Sequence, residues 1–168
     1  MPHLQHKLAF RQVLKYQLDV SLMREHDDDV DEIELLVVLK VGQDGALTTE
    51  TRVENRSGPV KVPEELTRPG KYQLGQALPE FLPFLPDRDL KEGDAWTHDG
   101  FFYELTSVKG EVAEIVSRKV IEQPRTETEW LYEFDFKQGR VTLAQSVIET
   151  QAPKGGSTRC LCEYELTD

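Results

Sequence analysis

Cysteine is scarce in this chain: there are 2, Cys160 and Cys162, too few for a disulfide framework. Spaced two apart in a run that alternates with Tyr164 and Leu166, they project from one face of a strand, where parallel thiols do not readily reach disulfide geometry. They read as small core hydrophobes, and a metal or redox role would have to recruit a distant histidine such as His98. Long apolar runs are also missing. No segment approaches the length that crosses a bilayer, and polar or charged residues run through the N-terminal region. The expectation is of no membrane span and no leader or lipobox cysteine in the chain as given. The compartment is then periplasmic or envelope-associated if a leader has been removed, and otherwise cytoplasmic.

Positive charge is short as well. The chain has 20 Lys and Arg against 31 Asp and Glu, a net charge of -11, and the bases do not cluster. Such a balance repels polyanions, which argues against nucleic acid and against anionic membrane surfaces as partners. Catalytic signatures are absent too: there is no Gly-x-Ser-x-Gly elbow, phosphate-cradling glycine loop or metalloprotease histidine pair. His3, His6, His26 and His98 are scattered, and the acid pairs Glu127/Glu129 and Glu163/Glu165 fall at period two, on the solvent face of strands. The acidic run from Asp27 to Glu32 lacks the glycine of a calcium loop and reads as a solvated connection between strands. No enzyme, no catalytic residue, no metal and no cofactor is expected.

What the chain does have is alternation. Leu8, Phe10, Leu14, Tyr16, Leu18, Val20 and Leu22 recur at every second residue, broken at Gln12, and the same period returns at Ile33 to Val41, Trp130 to Phe136 and Cys160 to Leu166. Strands are predicted at about 7–24, 32–41, 46–55, 94–98, 100–108, 111–122, 126–137, 140–150 and 157–167, with tight turns at Asp44-Gly45, Lys109-Gly110 and Gln138-Gly139. A chain of 168 residues with no Gly/Ser linker fits one β domain over 1–168, burying roughly 70% of its unfolded surface. Between Asn55 and Asp94 the period is lost and prolines gather at 59, 63, 69, 79, 83 and 86, which excludes central strands there. So long an irregular stretch predicts short strands or one helical turn inside it. Its apolar residues Leu78, Phe81, Leu82, Phe84 and Leu85 predict a segment packed over the sheet.

One string, Leu85-Pro86-Asp87-Arg88-Asp89-Leu90-Lys91-Glu92-Gly93-Asp94-Ala95-Trp96, resembles the Leu-Pro, polar spacer, Gly-Asp-x-Trp string of a group of bacterial lipoprotein-like domains of unknown function. Phe134-Asp135-Phe136-Lys137-Gln138-Gly139-Arg140 is similar to their later hairpin, aromatic-Asp-x-x-x-Gly-Arg. With the meanders on either side, the likeness covers most of the chain. It implies a strongly curved antiparallel sheet, similar in shape to the half-barrels of periplasmic lipoprotein carriers and envelope lipid-binding lipoproteins, which hold acyl chains in their concave face. It carries over no ligand residue, and the missing lipobox cysteine and leader depart from it.

The physical reading is compatible with that shape. Strands of about fifteen residues span about 50 Å, and sheets of such strands twist and coil. The fold class expected is therefore all-β: a single antiparallel meander forming a strongly curved sheet or open half-barrel, with an irregular Pro-rich segment at about 56–93 packed on it. Its hollow must be filled by that segment or by a ligand. In the ligand reading, the protein binds an apolar small molecule or lipid with Leu14, Tyr16, Leu18, Trp130 and Phe134 of the sheet and Phe81 and Phe84 of the irregular segment. In the alternative, the core is fully packed and the domain is structural or interacts with a protein partner whose identity the sequence does not reveal.

Overall fold

The computed structural model describes residues 1–24, 30–57 and 62–167. Within them the elements are β1 (Val13–Arg24), β2 (Asp31–Val41), β3 (Ala46–Arg56), α1 (Glu64–Thr67), β4 (Gly70–Gln73), β5 (Ala95–His98), β6 (Phe101–Lys109), β7 (Val112–Glu122), β8 (Arg125–Asp135), β9 (Arg140–Gln151) and β10 (Ser157–Leu166). They form one 10-stranded antiparallel sheet in the order β4-β3-β2-β1-β10-β9-β8-β7-β6-β5. The predicted all-β, curved meander is what the chain builds. It is not closed into a barrel: β1 and β10 pair in the middle of the sheet, and its opening lies between the short edge strands β4 and β5. The irregular stretch does contain one helical turn, α1, and one short strand, β4. Asp27 to Asp29, His26 and Pro59 lie outside the described residues.

The first strand starts later than the alternation predicts. Arg11 takes a φ of 69°, a left-handed conformation within a turn closed by Gln12 N–H donating to Ala9 O at 2.9 Å, and the first strand-like bonds run from Arg11 N–H to Val41 O at 2.9 Å and from Val41 N–H to Gln12 O at 3.0 Å. Leu8 and Phe10 keep the period without being strand, and Phe10 is 52% exposed. The residues before β1 instead run across one end of the sheet. There Leu4 is buried, Lys7 N–H donates to Gly139 O at 2.8 Å, and Leu90 N–H donates to Pro2 O at 2.9 Å. The longest strands have 12 residues, shorter than expected. β8 ends at Asp135, leaving Phe136 outside it.

Cross-strand register shows how composition varies along the hollow. One inward-facing row runs Leu35, Leu18, Tyr164, Ala144, Tyr132, Ile115 and Leu105, nearly all apolar. One step toward the other end, the row is Ile33, Val20, Cys162, Ser146, Trp130, Ser117 and Tyr103. A further step places Cys160, Ile148, Thr128 and Lys119 in line. The apolar rows face the end crossed by residues 3–7, and the hydroxyl-rich rows face the opposite end. Hydrophobic burial is therefore concentrated at one end of the hollow.

A Pro-rich segment can lie in that hollow because its polar groups are met. Pro79, Pro83 and Pro86 carry no N–H, so the buried stretch brings fewer donors that need acceptors. Its carbonyls are served by side chains: the Tyr132 hydroxyl donates to Glu80 O at 2.7 Å, the His6 ring Nε2 lies 2.8 Å from Pro83 O, and the Trp96 indole N–H donates to Phe84 O at 2.7 Å. With those bonds made, Phe81, Leu82 and Leu90 can be buried at 5%, 3% and 0% exposure. The plug forms because its backbone demands are few and are answered from the sheet.

Candidate functional site

The plug does not fill the whole hollow. At the hydroxyl-rich end a chamber of about 440 Å³ remains, bounded by the sheet, by Pro79 to Phe81 of the plug, and by α1. The size lies within the range of small-molecule sites, roughly 300–1,000 Å³. Its sheet wall comes from Val37 of β2, Thr49 and Thr51 of β3, Ile121 of β7, Thr126, Thr128 and Trp130 of β8, Ser146 and Ile148 of β9, and Cys162 and Tyr164 of β10. α1 contributes Glu65 and Leu66, the residue after it Arg68, and β4 Tyr72. Each strand residue points inward because of the two-residue period of an extended chain, so the wall is rigidly placed.

Aromatic rings form the floor. Phe81 stacks on Tyr164 at a centroid distance of 4.7 Å and meets Tyr16 edge-on at 5.2 Å, while Trp130 stacks on Tyr132 at 5.5 Å. Burial raises the pKa of Tyr16, Tyr132 and Tyr164, so all three hydroxyls stay neutral donors, and it pushes Tyr103 up to about 12. Glu80 keeps part of its surface in solvent, but its carboxyl faces this aromatic wall. Desolvation there raises its pKa, with the Lys119 ammonium opposing the rise. Cys160 and Cys162 lie side by side on the inner face, Sγ to Sγ 3.7 Å. The bond between them, reinforced by burial, holds the Cys160 thiol protonated.

Among the residues expected from sequence to line a ligand, Trp130 and Phe81 are on the chamber wall. Leu14, Tyr16, Leu18 and Phe134 do not line it: all four are at most 2% exposed, in the half of the hollow that the plug and the N-terminal residues fill. Phe84 turns the other way and stacks on His98 at 3.7 Å. The residues that sequence reading passed over are the hydroxyls of Thr49, Thr51, Thr126, Thr128 and Ser146. Their signal was present in the strings Thr48-Thr49-Glu50-Thr51 and Thr126-Glu127-Thr128-Glu129, where threonine occupies the inward positions that apolar residues hold elsewhere in the same strands.

The architecture can be set beside known ones. The fold is similar to part of lipovitellin. A solved structure titled "Lipid-protein interactions in lipovitellin" superposes with a TM-score of 0.66 at 10% sequence identity, covering 96% of this chain and 26% of that one. The present chain thus spans about a quarter of that lipovitellin chain, and at such identity the likeness is one of fold. The S-type phycobiliprotein lyase CPES from Guillardia theta aligns over 94% of this chain and 89% of its own at 9% identity, with a TM-score of 0.33, too low to bear on function. No family model and no curated protein sequence matches the chain. Among the described residues, no helix is long and apolar enough to cross a membrane.

Proposed function

We propose that the protein is a non-enzymatic binder that holds an apolar or amphiphilic small molecule, such as a lipid, in the concave face of its curved sheet. The observation that carries this reading is the division of the hollow. The plug packs against the most apolar rows and stops short, leaving about 440 Å³ between Phe81, Trp130, Ile148 and Leu66 that no side chain enters. Sequences that need only a scaffold fill their interiors to crystal-like density, because an unfilled chamber forfeits dispersion contacts. The lipovitellin-like fold and the resemblance to lipoprotein-like domains support the same reading.

Native mass spectrometry of the protein purified from its own host, followed by organic extraction and lipid analysis, tests it. A stoichiometric apolar molecule is expected. Clean apoprotein with no thermal shift on adding fatty acids, their neutral esters or phospholipids would end the proposal. A protein-interaction role has its own support on the convex face, where Phe102, Val116, Leu131 and Val147 flank a shallow groove and Phe102 is 51% exposed. That reading predicts a partner retained in pull-down by wild type and lost by Phe102→Ser, with the chamber empty.

A further inference from the structure

Trp130 and Ser146 stand directly opposite each other across the β8–β9 ladder, 5% and 3% exposed, and both line the chamber. Among the described residues, neither the Trp130 Nε1 nor the Ser146 Oγ has a hydrogen-bond partner. The Glu80 carboxyl lies beside the indole N–H without meeting hydrogen-bond geometry. Folded proteins rarely leave a buried donor unmet, because it has given up water and gained nothing in return. Two such donors, adjacent on one chamber wall, mark the place where an acceptor from outside the chain fits. Ser117, opposite Trp130 across the β7–β8 ladder, is likewise buried with an unpartnered hydroxyl but does not line the chamber, and Ile33, Val20, Cys162 and Tyr103 complete the row, so on the chamber wall the unmet donors of this row are Trp130 and Ser146.

The charge around them selects the kind of acceptor. Glu80 disfavours a second anion close to Trp130. The one cation among the described lining residues is Arg68, which is exposed at the rim and already lies 3.5 Å from Glu64. The rim itself is apolar where Leu66, Ile121 and Ile148 contribute to it.

We infer that the chamber takes an uncharged amphiphile, bound polar group first, with an ester or ketone oxygen accepting hydrogen bonds from Trp130 and Ser146 and the hydrocarbon part running along Leu66, Ile121 and Ile148. This rests on the ligand-binding reading and goes beyond it by naming the ligand's head group and its direction of entry. A free fatty acid is the wrong class at neutral pH, since its carboxylate would sit beside Glu80.

Isothermal titration of the full chain with three matched probes tests this: methyl laurate, tridecane and sodium laurate. Methyl laurate is expected to bind about tenfold or more tightly than tridecane, and laurate to bind more weakly than the ester. Trp130→Phe keeps the aromatic ring and removes the N–H, and Ser146→Ala removes one oxygen. Each variant is expected to shrink the ester-to-alkane affinity ratio, both affinities being measured on that same variant. Ser146→Ala decides the matter alone should Trp130→Phe fail to fold by circular dichroism. An ester bound no more tightly than the alkane, or ester binding untouched by either substitution, overturns this inference and leaves the ligand-binding reading standing. If none of the three probes binds, both fall.

Discussion

Phe81 is where the plug, the packed core and the chamber meet, and its truncation measures how firmly the plug is seated. Its ring is 5% exposed, stacked on Tyr164 with an interplanar angle of 13° and edge-on to Tyr16 at 61°. Replacing a buried phenylalanine by alanine costs about 3–5 kcal/mol, the upper values applying where the cavity left behind cannot relax. Here the lost ring opens into an existing chamber that the plug backbone can sag toward and water can enter. Phe81→Ala is therefore expected at the low end, about 3 kcal/mol. For a chain of this size, each kcal/mol lowers the Tm by about 2–4 °C, so the midpoint should fall by roughly 6–12 °C. Urea unfolding followed by tryptophan fluorescence reads the loss directly, with an unchanged denaturant slope showing that the variant unfolds from the same compact state. A double-mutant cycle with Tyr164→Leu should return a coupling of about 0.5–1.5 kcal/mol for the stacked pair. A loss below about 1 kcal/mol, with no coupling to Tyr164, would mean that the Pro-rich segment does not pack in the hollow at all.

Two further outcomes probe the end of the hollow that the N-terminal residues cross. Burial lowers the pKa of His6 below its ordinary 6.5, outweighing the opposing effect of its bond to Pro83 O, so the folded state holds the ring neutral. Its contribution to stability is thus complete above about pH 6.5 and declines as pH falls through that value, because protons bind the unfolded chain more readily. Thermal scans from about pH 7 to about pH 5 should show a drop in Tm that is smaller in His6→Gln, and equal slopes for the two proteins would refute the assignment. Gly139 adopts a φ of +68°, and a Cβ there would run into the backbone and side chain of Lys7. Gly139→Ala should release the N-terminal residues, seen as rapid proteolytic trimming before β1 with a loss of about 1 kcal/mol or more. Resistance to trimming equal to wild type would rule that out.

Much of the fold was readable from the two-residue period alone. It located β2, β3 and the strands of the second half within a few residues, and it identified the faces of β1, β8 and β10 that turn inward. The same signal misled at Leu8 and Phe10, because alternation records only that apolar side chains recur. Whether the backbone between them is extended depends on a partner strand, and the turn at Phe10 and Arg11 takes the chain out of the β1–β2 ladder before those residues. The candidate site was less readable. Trp130 and Phe81 are on the chamber wall, while Leu14, Leu18 and Phe134 are equally apolar and equally well patterned yet sit under the plug. Nothing local separates the two groups, since what separates them is how far residues 79–90 extend along the hollow.

The chain by itself determined that its strands have one apolar face, that its Pro-rich middle supplies no central strand, and that its net charge is -11, since each of these follows from side-chain chemistry and local backbone limits. Only the tertiary structure decided that β1 and β10 pair at the centre of the sheet, that the opening falls between β4 and β5, and that the plug ends at Pro79 with Ser146 and Trp130 left facing a chamber. Those outcomes depend on contacts between residues more than a hundred positions apart, such as Tyr16 with Val141 at 2.9 Å, and no local pattern along the chain encodes them.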